Sequence, residues 1–212
     1  MTSDVRLDWR AEAAGSSVVP AELALIKAFL NSADIDEGTD SFDSAESLRA
    51  WLVERGLPGA EAQLTEIERR RVVKFREAVR EVVAAHGDAV PSAALATLAA
   101  AARTAQLIVA IDEAGQADLR PAGRGPDALL ARLLADIASA QRIGTWSNLR
   151  ICRHDVCRWA FFDASRNHTG VWCTMSICGN RVKSANLRRR RSRPETGPTH
   201  PSAEAEASRL RR

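Results

Sequence analysis

A mainly α fold is predicted for this chain by three observations. Apolar residues recur every three or four positions over most of 20–145, one short β-branched run at 107–111 breaks that pattern, and all four cysteines fall in a segment near the C-terminal end. The expected architecture is a helical N-terminal domain with one small β-hairpin, followed by a small treble-clef-like unit of hairpin and helix built on the cysteines. The 212 residues allow one large domain or two small ones, and 45% apolar content is ordinary for a globular protein.

The elements follow in order. Residues 1–19 lack periodicity and carry Gly15, Ser16 and Ser17, so they are expected as a disordered leader in which Trp9 alone is suited to docking. They hold no continuous apolar run, which predicts neither a signal peptide nor a membrane span, and hence a cytoplasmic location. Pro20 suits a first helical position, and Leu23, Ile26 and Leu30 share one face of a helix ending near Asn31. The aspartates of 32–43 (Asp34, Asp36, Asp40, Asp43) lack EF-hand spacing and read as a solvated loop.

Ser44 caps a second helix over 45–55 whose apolar face is Leu48, Trp51 and Leu52, and Gly56 stops it. A third is expected over 60–85, with Leu64, Ile67, Val72, Phe75 and Val79 on its buried stripe and Arg69, Arg70 and Arg71 on a solvated face among glutamates. His86 reads as a dipole-favoured cap. An alanine-rich fourth helix runs to about Gln106, a hairpin pairs 107–111 with 117–120, and a fifth helix spans 127–143 before Gly144. These elements make 20–145 the helical domain, the next unit 146–193, and 194–212, rich in proline and poor in large apolar side chains, a disordered tail.

Cys152 and Cys157 are separated by four residues, as are Cys173 and Cys178, and about fifteen lie between the pairs. Four thiolates at about 2.3 Å saturate a tetrahedral zinc ion and leave no open position, so one structural Zn2+ is expected rather than a catalytic one. In a reducing compartment metal ligation is the better use of such cysteines than disulfides. His154 and His168 are the competing ligands, but four matched sulfurs are already present. Strand-like 158–162, a polar turn at 163–170 and Val171–Trp172 suggest a hairpin, with Trp159 and Trp172 in its core. Thr174 then caps a helix in which Met175, Cys178, Val182 and Ala185 share a face. So small a unit draws part of its folding free energy from the metal.

Charge is segregated. From Ile151 onward there are thirteen Arg and Lys against five Asp and Glu, leaving seventeen against twenty-two before it, so the basic half is expected to meet a polyanion. Arg188, Arg189, Arg190, Arg191 and Arg193 are suited to phosphates. Asn180, Arg181, Lys183, Ser184 and Asn186 could read bases from a major groove, and Asn180 and Arg181 could equally brace the zinc site.

Cys152-x4-Cys157, Phe161-Phe162-Asp163-x-Ser165-Arg166-Asn167 and Trp172-Cys173-x-Met175-x-x-Cys178-Gly179-Asn180-Arg181-x-Lys183 together resemble the CGNR zinc finger of bacterial regulators. In that family the finger follows a helical ABATE domain, a stress-induced transcription regulator domain, which 20–145 resembles in length and position. Phe29-Leu30-Asn31-Ser32 is similar to its N-terminal motif, although Ala28 and Ser32 stand where the family commonly has Asp and Thr. The resemblance implies zinc held by the four cysteines and a DNA-binding role in transcription. The helical domain is then expected to sense a small-molecule effector or to form a homodimer. The alternative is an RNA-binding or protein-interaction module using the same finger. An enzyme is not expected, because no nucleophile and base occur in a recognisable motif and the metal site is full.

Overall fold

A computed structural model describes residues 19–58, 60 and 62–191, without the side chains of Asn186 and 189–191. The expected tail, Arg193 and the leader up to residue 18, with Trp9, lie outside the described residues. Val19, at the leader's end, packs against the core.

Helix α1 (Ala21–Leu30) buries Leu23, Ile26, Phe29 and Leu30. Helix α2 (Ala45–Glu54) starts at a capping box in which Ser44 and Ser47 satisfy each other's backbone N–H groups, and it buries Leu48, Trp51 and Leu52. Phe29, Phe42, Trp51 and Phe75 form an aromatic centre, with Phe42 edge-on to Trp51 at 5.2 Å. Helix α3 (Glu66–Ala85) begins later than its periodicity suggests. Thr65 and Glu68 make a second capping box, which fixes the start, and Ile67 in the first turn is 80% exposed. Arg69 and Arg71 are engaged with Glu66 and Asp127. At its end His86 adopts φ 46°, and burial, with Arg150 and Arg153 nearby, pushes its imidazole pKa down, against the expected dipole-favoured charge.

Helix α4 (Ser92–Thr104) packs on α3 but buries only Ala94 of its own residues. Strands β3 (Leu107–Ile111) and β4 (Ala117–Pro121) form the expected antiparallel hairpin. Helix α5 (Gly125–Ile143) buries Leu129, Leu130 and Leu133 against α1 and ends at Gly144 with φ 86°. No helix among the described residues is long and apolar enough to cross a membrane.

Two further expectations are corrected. The segment 32–43 is not simply a solvated loop. It forms a short hairpin, β1 (Ala33–Asp34) with β2 (Thr39–Asp40), because Arg76 on α3 is 2% exposed and takes a bidentate partner in Asp40 at 2.7 Å. Burial pushes the Asp40 carboxyl up, but Arg76 and the Phe42 N–H outweigh it and hold the pKa below the usual range. The hairpin of the cysteine unit also differs. Its strands are β5 (Leu149–Ile151) and β6 (Ala160–Phe162), paired around the first two cysteines, whereas Val171 instead accepts a single backbone bond from Arg153 at 3.0 Å. Leu149 and Ile151 alternate about Arg150, and with Ala160 they complete the helical core, whereas Trp172 packs on the cysteine cluster.

Candidate metal centre

Strand β5 delivers Cys152 and the chain reverses at once. The Cys157 N–H donates to the carbonyl of His154 at 2.8 Å, and the Cys152 N–H to that of Trp159 at 2.9 Å. Arg158, between them, has φ 46°, in the left-handed region, and its carbonyl accepts from Arg80 at 2.9 Å. The second pair comes from the far end. Thr174 leads into a π-helical turn, Met175–Gly179, that carries Cys178 and runs directly into helix α6 (Asn180–Arg191). Thr174 occupies the cap position, but its buried hydroxyl makes no cap bond, contrary to expectation. A Cβ on Gly179 would collide with the Met175 thioether, which folds over it.

The four sulfurs lie within 4.8 Å of one another and all four cysteines are buried. Cys157 and Cys173 are 3.6 Å apart and Cys173 and Cys178 3.7 Å, far from a bonded disulfide. A tetrahedron with arms of about 2.3 Å has edges of about 3.8 Å, so the spacing fits one zinc ion. The electrostatics agree. Hydrogen bonds from Cys157 and Cys173 push the Cys152 thiol down, hydrogen bonds to Cys152 and Cys157 push Cys173 up, and burial, with the charge of its neighbours, pushes Cys178 up to about 12. Without a dication these thiols resist ionising together. Trp159, Phe161, Trp172 and Ile177 pack around the cluster, so both tryptophans serve the core. Neither histidine belongs to the cluster. His168 sets its Nδ1 3.0 Å from the carbonyl of Asp163, and His154 Nδ1 is buried without a partner among the described residues.

Asp163 is a residue whose importance composition alone did not reveal. It is 5% exposed, and its carboxylate accepts from the N–H groups of Ser165 at 3.0 Å and Gly170 at 2.6 Å, which closes the loop that returns the chain to Cys173. Burial pushes its pKa up, but the hydrogen bonds from Ser165 and Gly170 prevail and hold it below the usual range. A Cβ on Gly170 would stand 2.9 Å from that carboxyl. Gly170→Ala is therefore expected to lower stability by about 1–2 kcal/mol and to speed zinc release to a chelator. Unchanged thermal midpoint and release rate would rule out this tight approach.

The remaining predicted residues divide. Asn180 donates to the carbonyl of Ser176 at 3.1 Å, across the junction of the π turn and α6. Arg181 donates to Asp36 at 2.6 Å, which ties the first turn of α6 to the β1–β2 hairpin and raises the Arg181 pKa. Lys183, Ser184, Ala185, Leu187 and Arg188 are exposed; of the residues expected to share one face, Cys178 is buried and Val182 half-buried, while Met175 and Ala185 are exposed. The side chains of Arg189, Arg190 and Arg191 lie outside the described residues.

The finger also has a joint to the helices that its motif did not announce. The Asn31 side chain pairs twice with the backbone of Ala160 in β6, donating to its carbonyl at 2.9 Å and accepting from its N–H at 2.8 Å. Ser32 donates to the carbonyl of Phe29 and accepts from Arg76. Arg80 reaches from α3 to the carbonyls of Leu30 and Arg158, and Arg158 returns an ion pair to Glu81.

Residues 7–141 match the ABATE family, whose description is "Putative stress-induced transcription regulator". That span is more than half of the chain. The protein belongs to the ABATE family. Residues 148–191 match the CGNR zinc finger, which covers all four cysteines and α6. No curated protein matches the chain at a significant level. The Phe29-Leu30-Asn31-Ser32 motif of this ABATE chain is thus the segment that receives the finger, and Ser32 supplies a hydroxyl where the resemblance led us to expect that of threonine.

Proposed function

We propose that the protein is a zinc-containing, DNA-binding transcriptional regulator of the bacterial cytoplasm, with α6 as its nucleic-acid element. The observation that carries this reading is the helix itself. It leaves the closed zinc site with Lys183 and Arg188 exposed, buries no apolar stripe among its described side chains, and adds Arg189, Arg190 and Arg191 in sequence. A helix of this length with no buried face gains little from packing, so a polyanion is the natural stabilising partner. The family description supports the regulatory role. Arg188 to Arg191 would neutralise phosphates, while Asn180 and Arg181, held by Ser176 and Asp36, would set the angle of the helix more than read bases.

The helical domain supplies the regulatory half. A cleft of about 390 Å³ bordered by Leu25 and Ala28 of α1, Arg55 and Leu57 after α2, and Arg132 of α5 is the candidate effector site. Replacing Arg188 to Arg191 together with Ala tests the main proposal. The log–log dependence of duplex DNA affinity on salt should flatten by about 0.9 for each phosphate that is no longer neutralised. An unchanged slope would remove α6 from the interface. Tighter binding to RNA at matched salt would favour the other nucleic acid.

A further inference from the structure

Hairpin β3–β4 stands out from the helices with its aliphatic residues in water: Ile108 is 53% exposed, Val109 66% and Ile111 64%. Its register decides which edge is open. Asp112 donates to Gln116 and Ala122 to Gln106, so the even-numbered residues of β3 face β4, and the N–H and C=O groups of Leu107, Val109 and Ile111 point away from it. Among the described residues nothing pairs with that edge. It carries no charge, proline or bulge, the usual defences of a free strand. The outer edge of β4 differs, since Pro121 lacks an N–H and Asp118 and Arg120 lie along the strand.

We propose that the outer edge of β3 is a dimerisation surface that takes the same strand of a second copy, antiparallel, about a two-fold axis through Val109. That register sets Val109 opposite itself and Leu107 opposite Ile111 of the second copy, and uses every outward N–H and C=O of both strands. Two features select a second copy. Val109, Ile111, Leu119 and the half-buried Leu107 and Pro121 share one wholly apolar face, so the two-fold brings β-branched neighbours side by side across the new pair. The charges at the strand ends are also complementary. Exposed Arg103, in the last turn of α4, falls at the end where the second copy's hairpin tip carries exposed Glu113, and the two-fold repeats the pairing at the other end. The product is a four-stranded sheet with a finger on each side, independent of whether the fingers bind DNA.

The test is light scattering and sedimentation of the full-length zinc-loaded chain, without nucleic acid, over a range of concentrations. A monomer–dimer equilibrium is expected. Val109→Lys, which places two ammonium groups on the axis, should raise the dissociation constant by about tenfold or more while circular dichroism and zinc content stay unchanged. Arg103→Glu should weaken the dimer, and adding Glu113→Arg should restore it. A monomer at every concentration overturns the proposal, as does a dimer indifferent to Val109→Lys. Failure of the charge swap to restore the dimer refutes the two-fold register.

Discussion

Replacing Cys173 with Ser is expected to abolish stoichiometric zinc and to unfold the unit from Cys152 to α6. Cys173 lies within 3.7 Å of the sulfurs of both Cys157 and Cys178, so it bridges the two halves of the cluster. A serine oxygen is a shorter, harder and poorly ionised donor, and it leaves three matched thiolates. Loss of an outer hydrogen-bond partner typically costs a metal site 10–100-fold in affinity, so loss of a ligand should exceed about 100-fold. Structural zinc contributes roughly 10–16 kcal/mol to small domains of this kind, which the few apolar residues around the cluster cannot replace. The effect should spread. Leu149, Ile151 and Ala160 belong to the core of the helical domain, and freeing them withdraws two large buried side chains, each worth about 1.5–3 kcal/mol. Elemental analysis and hydrogen exchange at Ala160 and in α1 would check both steps. Full zinc occupancy in the variant would sink the four-thiolate site.

Helices α1, α2, α3 and α5 were legible because each has an apolar stripe of ordinary spacing, and the four ligands because matched cysteine pairs have few other uses. Hairpin β3–β4 was legible because a β-branched run and a turn are local signals. The errors were long-range. Nothing near Leu149 and Ile151 states that they pair with 160–162 and not that 158–162 pairs with 171–172, since the partner is chosen by packing on α3 and α1, more than sixty residues away. Asp40 looked like one of several loop aspartates because Arg76 lies in a helix 36 residues away. Ile67 fitted the helical period, but the capping box at Thr65 placed it in a first turn that the core does not reach. Arg181 read as a base-contacting or zinc-bracing residue, and its observed partner, Asp36, is remote in sequence. A pattern along the chain records which residues want burial or a partner; which partner they find is a property of the assembled fold.

Arg80→Met is expected to destabilise the protein by about 3–5 kcal/mol, a large loss for one side chain outside the metal site. Arg80 is fully buried, donating to the carbonyl of Leu30 at 2.5 Å, to that of Arg158 at 2.9 Å and to Glu77 at 3.0 Å. Burial pushes its pKa down and the Glu77 carboxylate opposes the shift, yet a guanidinium stays charged under all ordinary conditions. Methionine retains the apolar stem to about the Nε position, so the change removes the guanidinium together with its three polar interactions. Glu77 is 46% exposed and regains water, so its share of the loss is small. The Leu30 carbonyl, whose bond is buried at both ends, has no such recourse, and the half-buried Arg158 carbonyl has less of it. Leu30 ends α1 and Arg158 closes the zinc knuckle, and each would be left without its buried donor at about 1–3 kcal/mol. Arg80→Lys cannot reach all three partners and should recover only part of the loss, while Glu77→Gln should cost less than about 1 kcal/mol. Urea unfolding followed by tryptophan fluorescence measures the series. Because the bond to Arg158 joins the helices to the finger and none of the three touches the sulfurs, the methionine variant should still bind one zinc but release it faster. A shift of under about 1 kcal/mol would mean that the joint is held without the Arg80 hydrogen bonds.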